Sequence, residues 1–174
     1  MMNAQQIVSL DIGKVGEDLV SRFPWIANPI LKGALGFLSP FHRALGLHLV
    51  RWERRMAEGE IRVRRRLRDH NGALHAGAIG LAGETLALLV LLRNVRLTQY
   101  AVELKEVSTM YDAPVKSSAA LKCELDAESF ARIKQALGQK GEALVRLRTD
   151  ITDGHIAAAT VRTVWRVHPR FRKH

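Results

Sequence analysis

The segment His70–Leu92, HNGALHAGAIGLAGETLALLVLL, is the strongest indication of the fold, because it is long enough for a helix and nearly free of charged residues. Within it, His75 and Glu84 interrupt the apolar run. Burying a charge without a partner is costly and shifts its pKa, so a purely structural helix has little use for them. Three glycines recur at every third position: Gly77, Gly80 and Gly83. Each costs about 1 kcal/mol of helix propensity relative to alanine, so we expect something to approach this helix closely.

We place the helix at residues 77–92. Two stretches in which apolar and polar residues alternate precede it. In the first, residues 45–52, Leu47 and Leu49 share one face, and in the second, residues 60–67, apolar side chains alternate with arginines. Such alternation is typical of strands with one buried face. The dipeptide Glu58-Gly59 predicts the turn between them.

The remainder of the chain predicts strands, one short helix and a hairpin. Four strands are expected at Tyr100–Tyr111, Val115–Leu125, Leu144–Thr152 and His155–Val167. Asp126 resembles an N-cap and Gly138 the end of a short helix between the second and third of these strands. Asp153-Gly154 predicts a type I′ turn between the last two. One long helix lying across an antiparallel sheet gives an α+β architecture.

The bulk properties of the chain favour a single soluble domain. Its 174 residues suffice for one core. The single Cys123 excludes an internal disulfide and lies in a predicted strand. Acidic residues at Asp11, Glu17 and Asp18 interrupt any secretory signal, and Ala76–Leu92 is short for a bilayer crossing. We therefore expect a cytoplasmic protein.

The net charge of +10 has several possible functional interpretations. Arginines crowd residues 51–68 and return in residues 162–173, where they could attract nucleic acid, anionic membrane or a phosphorylated ligand, or form a solvated basic face. No aromatic stacking pattern or zinc-finger spacing accompanies them, so we expect no nucleic-acid partner. The phosphates of coenzyme A account for the arginines more economically.

A family resemblance is carried by one ordered set of residues: Asn71, Gly72, Leu74, His75, Gly77, Ala78, Leu81 and Glu84. This order resembles the helix entry of hotdog-fold acyl-CoA thioesterases, particularly the phenylacetyl-CoA thioesterase type and its uncharacterised relatives. The phrase Ser39–Gly46 is similar to the lead-in to their first strand. The resemblance covers residues 39–168 and implies a hotdog domain there, with a long central helix wrapped by the sheet. Residues 1–38 then form an N-terminal helical extension, divided near Pro24–Pro29, and residues 169–174 a polar tail.

The activity that this resemblance implies is hydrolysis of an acyl-CoA thioester. Glu84 would be the general base or nucleophile, because desolvation raises the pKa of a carboxyl group in an apolar helix. Backbone N–H groups around Ala76 and Gly77 would form the oxyanion hole at the positive end of the helix dipole. His75 and Asn71 would orient the carbonyl group or the water.

Geometry prevents His75 and Glu84 from sharing one site on one helix, because nine residues span a half-integral number of turns and a rise of about 13.5 Å. In hotdog thioesterases, dimerisation resolves this difficulty. The resemblance thus implies a composite site, with Glu84 of one chain facing Asn71, His75 and Gly77 of its partner. The protein is expected to form a homodimer or a dimer of dimers.

The substrate-binding residues are predicted from the same helix and from the strand that follows it: Ala76, Leu81, Thr85, Leu88 and residues 100–110. Structural alternatives accompany several site residues. His75 could cap the helix, Asn71 could only shape the turn, and the Thr85 hydroxyl could bond its own helix. Glu84 could be an interface carboxylate satisfied by backbone groups.

No cofactor or metal is expected. The seven histidines show no ligand pairing, and no Gly-x-Ser-x-Gly turn occurs. The alternative function is a non-catalytic acyl-ligand-binding or membrane-associated hotdog protein. In that case residues 1–38 could lie on a membrane surface.

Overall fold

A computed structural model of the protein describes residues 40–170, so the two helices predicted for residues 1–38 lie outside the described part. The helices are α1 (Pro40–Leu45), α2 (Ala76–Leu92) and α3 (Ala127–Lys140). The strands are β1 (His48–Trp52), β2 (Met56–Arg62), β3 (Tyr100–Tyr111), β4 (Ser118–Glu124), β5 (Ala143–Asp153) and β6 (Ile156–Pro169). They form one antiparallel sheet in the order β1-β2-β4-β5-β6-β3.

Helix α2 lies against one face of this sheet and contacts β2, β3, β4, β5 and β6. Its C-terminal half after Glu84 is almost entirely apolar and, apart from the half-buried Leu88, buried, with Leu86, Leu89 and Val90 fully inaccessible to solvent. Two strand side chains that pack in the same core are Ile61 and Val161. The α+β arrangement predicted from the sequence is therefore confirmed.

The position of Gly83 explains why α2 contains this glycine despite its low helix propensity. A Cβ built on this residue would lie 2.5 Å from the Val161 Cβ, which no real side-chain contact allows. The Thr149 hydroxyl donates a hydrogen bond to the Gly83 carbonyl at 3.0 Å. The missing side chain thus lets the helix backbone rest directly on β5 and β6.

The predicted turn at Glu58-Gly59 is wrong, because both residues lie inside β2. The chain reverses earlier, where the Glu53 N–H donates to the Met56 carbonyl at 2.8 Å. Gly59 serves a close approach instead, since a Cβ there would lie 3.0 Å from Leu47 Cδ1.

The second strand also begins and ends earlier than predicted, stopping at Arg62, and Arg65–Leu67 forms a short 3₁₀ turn. Here the chain must leave the sheet to enter α2. The His75 N–H donates to the Leu67 carbonyl at 2.7 Å, so the turn anchors the helix entry.

Helix α3 begins as predicted, because Asp126 Oδ1 accepts a hydrogen bond from the Ser129 N–H at 2.7 Å. It does not end at Gly138. The helix continues to Lys140 and is capped by Gly141, whose φ of 72° is the left-handed conformation that helix ends favour.

The last two strands form the predicted hairpin, but its loop is shifted by one residue. Asp153 pairs with Ile156, so the two loop residues are Gly154 and His155. Only Gly154 has a positive φ, of 60°. This is the pattern of a type II′ turn and not of the predicted type I′. The Asp153 carboxylate instead accepts hydrogen bonds from the Lys116 N–H and the Ser117 hydroxyl, which tie the hairpin to the segment before β4.

Within residues 40–170, no helix combines the length and apolarity needed to cross a membrane.

Candidate active site

The segment before α2 is a tight turn that delivers His75 to the start of the helix. Asp69 Oδ1 accepts hydrogen bonds from the backbone N–H groups of Asn71, at 2.8 Å, and Ala73, at 3.0 Å. Gly72 adopts a φ of 80°, which only glycine accepts readily. The Asn71 side chain is exposed, with its amide nitrogen 3.0 Å from His70 Nε2. The structure therefore places Asn71 in the turn that leads to the helix.

His75 is the N-cap of α2. Its Nδ1 accepts a hydrogen bond from the Gly77 N–H at 3.0 Å. A neutral imidazole that accepts at Nδ1 carries its proton on Nε2, so the exposed ring presents an N–H donor at Nε2. The helix-capping alternative for His75 is thus present in the structure, and the predicted orienting role stays open through Nε2.

Capping changes which backbone donors are available at the helix start. The Gly77 N–H is engaged by His75 and is not a free donor for an oxyanion. The Ala76 N–H has no acceptor among residues 40–170, and Ala76 is exposed. The predicted backbone oxyanion hole consequently has one open donor in this conformation, beside the Nε2 donor of His75.

Glu84 lies half-buried near the middle of α2. At about 100° per residue it shares one stripe of the helix with Gly77, Leu81 and Leu88. Among the described residues, none donates a hydrogen bond to its carboxylate or forms an ion pair with it. Burial raises the pKa of Glu84 above its ordinary value. A desolvated carboxylate without a partner is the arrangement expected of a general base.

The edge strand β3 lies beside the start of α2. Alternate β3 residues pair with buried residues of β6, so their side chains lie on the helix side of the sheet: Leu104, Val107, Thr109 and Tyr111. A Cβ on Gly80 would lie 3.4 Å from the Thr109 hydroxyl oxygen. The Tyr111 hydroxyl donates to the Ala76 carbonyl at 3.1 Å. The C-terminal part of β3 therefore runs along the first two turns of α2.

The apolar side chains between β3 and α2 are incompletely covered. Leu104 is 37% exposed, Val107 40% and Tyr111 50%. Within the part of the chain that the structure describes, β3 pairs only with β6, and its other edge is unpaired. We call the surface between β3 and the Gly77–Leu88 stripe of α2 the edge groove. Glu84 lies on that stripe.

The substrate-binding residues predicted from the sequence occupy different environments. Leu81 and Leu88 are half-buried on the stripe of Glu84, and Ala76 is exposed at the helix start. Thr85 is fully buried, and its hydroxyl donates to the Leu81 carbonyl at 2.6 Å. This bond is the intrahelical alternative, and it directs the hydroxyl into the helix.

Glu84 and the helix start are separated within one chain. Gly77 and Glu84 point in similar directions but are seven residues apart, which corresponds to about 10.5 Å along the axis. One chain therefore does not bring the carboxylate to its own helix-start donors. The arrangement is compatible with the two-chain site implied by the resemblance.

Sequence reasoning overlooked Tyr111. Its hydrogen bond to Ala76 depends on the position of β3 beside α2, and no local pattern around residue 111 indicates it. Of possible metal sites, the region between residues 40 and 170 contains no cluster of three or more His, Cys, Asp or Glu side chains.

Solved structures with the same architecture show which fold this chain has. A protein of unknown function from Pseudomonas aeruginosa, named a probable thioesterase, has 18% identity and a TM-score of 0.71, with 82% of this chain and 95% of that chain covered. A protein of unknown function from Chlorobaculum tepidum has 14% identity and a TM-score of 0.70, covering 81% and 93%. A mutant thioesterase from P. aeruginosa has 17% identity and a TM-score of 0.64, covering 80% and 92%. The chain has the hotdog fold of thioesterase-like proteins, as predicted.

The chain belongs to the family described as Domain of unknown function (DUF4442), whose model matches residues 27–167. No curated protein matches it.

Proposed function

We propose that this protein hydrolyses acyl-CoA thioesters. The observation that carries the proposal is the position of Glu84: a half-buried carboxylate with a raised pKa and no partner among the described residues, on the helix stripe that borders the edge groove. Two structural neighbours, one named a probable thioesterase and the other a mutant thioesterase, support the same reaction class. The substrate class and the cytoplasmic location follow from the sequence-based expectations.

In this mechanism Glu84 removes a proton from a water molecule, and the oxygen of that water attacks the thioester carbonyl carbon. The negative charge that develops on the carbonyl oxygen is met by the Ala76 N–H and by His75 Nε2–H at a helix start. Collapse of the tetrahedral intermediate breaks the carbon–sulfur bond, and the departing thiolate takes the proton from Glu84. Direct attack by the Glu84 carboxylate is the covalent variant of this route.

The site requires a second copy of the chain in this proposal. The unpaired edge of β3 offers backbone donors and acceptors for pairing with the same strand of a partner. Such pairing covers Leu104 and Val107. It also allows Glu84 of one chain to face His75 and Ala76 of the other. Dimers of dimers would use a further surface.

The edge groove would bind the acyl chain through Leu81, Leu88 and Val107. Exposed arginines precede the helix start, and guanidinium groups bind phosphates in a bidentate manner. The candidates for the phosphates of coenzyme A are Arg64, Arg65, Arg66 and Arg68. In this proposal these four arginines would lie at the nucleotide end of the substrate.

One observation favours the second candidate, a non-catalytic acyl-ligand-binding protein. The hydrogen bond between His75 and the Gly77 N–H leaves a single open backbone donor at the helix start. A site that binds acyl groups without stabilising an oxyanion does not need a second open backbone donor.

Hydrolysis of acetyl-, hexanoyl-, phenylacetyl- and palmitoyl-CoA, followed by release of the thiol, tests the two candidates. Glu84→Gln and Glu84→Ala should abolish turnover while calorimetric binding of the product CoA is retained. Glu128→Gln is the matched control, because Glu128 is an exposed glutamate on α3. Acyl-CoA binding without turnover by the unmodified protein would contradict the enzyme and support the binding protein.

A further inference from the structure

The Ala76–Gly77 peptide unit at the start of α2 is held at both ends by side chains. Its carbonyl oxygen, from Ala76, accepts a hydrogen bond from the Tyr111 hydroxyl at 3.1 Å. Its N–H, from Gly77, donates to His75 Nδ1 at 3.0 Å. The two bonds lie on opposite ends of one conjugated amide, so they form a continuous chain from Tyr111 through the peptide to the imidazole.

Such a chain is cooperative. A donor on the carbonyl oxygen withdraws charge from the amide and makes its N–H a stronger donor. A stronger bond to Nδ1 favours the imidazole tautomer that carries its proton on Nε2, because only that tautomer accepts at Nδ1. The Tyr111 hydroxyl therefore influences which nitrogen of His75 is protonated without touching the ring.

The fold places the tyrosine where this is feasible. Tyr111 is the last residue of β3 and pairs with the buried Ala159 of β6, which directs its side chain to the helix side of the sheet. His75 is exposed, so its Nε2–H is accessible to a ligand from solvent. The Tyr111 side chain is half-exposed.

We propose that Tyr111 is a positioning residue, which acts through the Ala76–Gly77 peptide to hold His75 as an Nε2–H donor toward the substrate carbonyl. The effect on turnover rests on the proposed thioesterase function. The effect on the His75 tautomer does not, because it depends only on the contacts within one chain.

The test compares Tyr111→Phe with Tyr100→Phe, which removes the hydroxyl of the other tyrosine from the opposite end of β3. Nitrogen-15 chemical shifts of the histidine rings are recorded at about pH 8.5, where imidazoles are mostly neutral. The His75 signals are assigned with His75→Gln. We expect the unmodified protein and Tyr100→Phe to show the Nε2–H tautomer at His75, and Tyr111→Phe to show a mixture.

In the acyl-CoA assay, Tyr111→Phe should lower kcat roughly three- to tenfold with KM within about twofold, the effect expected from one hydrogen bond. An unchanged His75 tautomer in Tyr111→Phe overturns the proposal, as does an unchanged kcat in a variant whose tautomer has shifted. If the unmodified protein has no hydrolase activity, the proposed function fails, and the tautomer measurement alone decides the role of Tyr111.

Discussion

Gly83 of α2 and Val161 of β6 are in backbone-to-side-chain contact, and a Cβ on the glycine would lie 2.5 Å from the valine Cβ. The valine is fully buried in the middle of the sheet. Because a β-carbon on a strand cannot move away without moving the strand, the contact sets the distance between helix and sheet. It also sets the depth at which Glu84, the next residue, lies.

Gly83→Ala should therefore destabilise the protein although alanine is the better helix former. Overpacking costs about 1–3 kcal/mol, which exceeds the gain in helix propensity of about 1 kcal/mol. Denaturant unfolding measures the change. Gly138→Ala is the matched control: a Cβ there meets nothing within 4 Å. This second change should raise stability by about 0.5–1 kcal/mol. Equal effects of the two substitutions would contradict the contact.

Glu84 should make stability and activity depend on pH in opposite senses. Its pKa is raised in the folded chain, so the folded state binds more protons than the unfolded state between the ordinary value of 4.5 and the raised value. The contribution of Glu84 to stability therefore falls as pH rises through that window. Turnover rises there, since the general base must be ionised.

Comparison with Glu84→Gln isolates this effect. At neutral pH the variant should be more stable than the unmodified protein by about 0.5 kcal/mol, a small amount because solvent screens a half-exposed carboxylate. The difference should shrink as the pH is lowered through the raised pKa towards 4.5, and little of it should remain below 4.5. A stability difference that does not change with pH would show that the pKa is not raised.

Two substitutions of His75 should affect stability and turnover differently. His75→Ala removes the helix cap and should cost about 1 kcal/mol, together with activity. Asparagine is a strong N-cap residue but has no imidazole, so His75→Asn should keep most of the stability and still lose turnover. Thermal unfolding and kcat measured on the same samples check this. Full activity in His75→Asn would restrict His75 to a capping role.

The β3 edge should carry the dimer. We expect light scattering to give two or four times the chain mass of 19.5 kDa. Val107→Lys should convert it to single chains and abolish turnover, because the charge would be buried against a partner strand. Val50→Lys is the control, since Val50 is 64% exposed on β1, at the opposite edge of the sheet. An unmodified protein that runs at the mass of one chain would refute the composite site.

Cys123 should be inert in the native protein. It is fully buried on β4, and burial raises the pKa of its thiol to about 12. Because only the thiolate is a nucleophile, the protein should not react with a disulfide reagent near neutral pH until it unfolds. Absorbance after addition of the reagent measures this, with the denatured protein as the positive control. Rapid native labelling would contradict the burial.

Local chemistry made several elements predictable. The central helix begins within one residue of its predicted start, because a long apolar run can only form a buried helix in this context. Asp126 was recognised as an N-cap, since carboxylates at that position satisfy free backbone donors. The prediction of a turn at Gly59 is wrong, because the residue lies inside β2. Glycine serves both turns and close approaches, and the nearness of Leu47 is a property of the folded sheet.

The sequence alone was sufficient for the class of fold, because alternation and helical periodicity are properties of single segments. Glu84 and His75 stay predicted catalytic residues. The order of strands in the sheet depends on contacts between distant segments, and only the tertiary structure decided it. That order places β3 at an unpaired edge beside α2 and brings the Tyr111 hydroxyl to the Ala76 carbonyl, 35 residues away along the chain. Local propensities carry no information about such a contact, because its energy arises only after the sheet has formed.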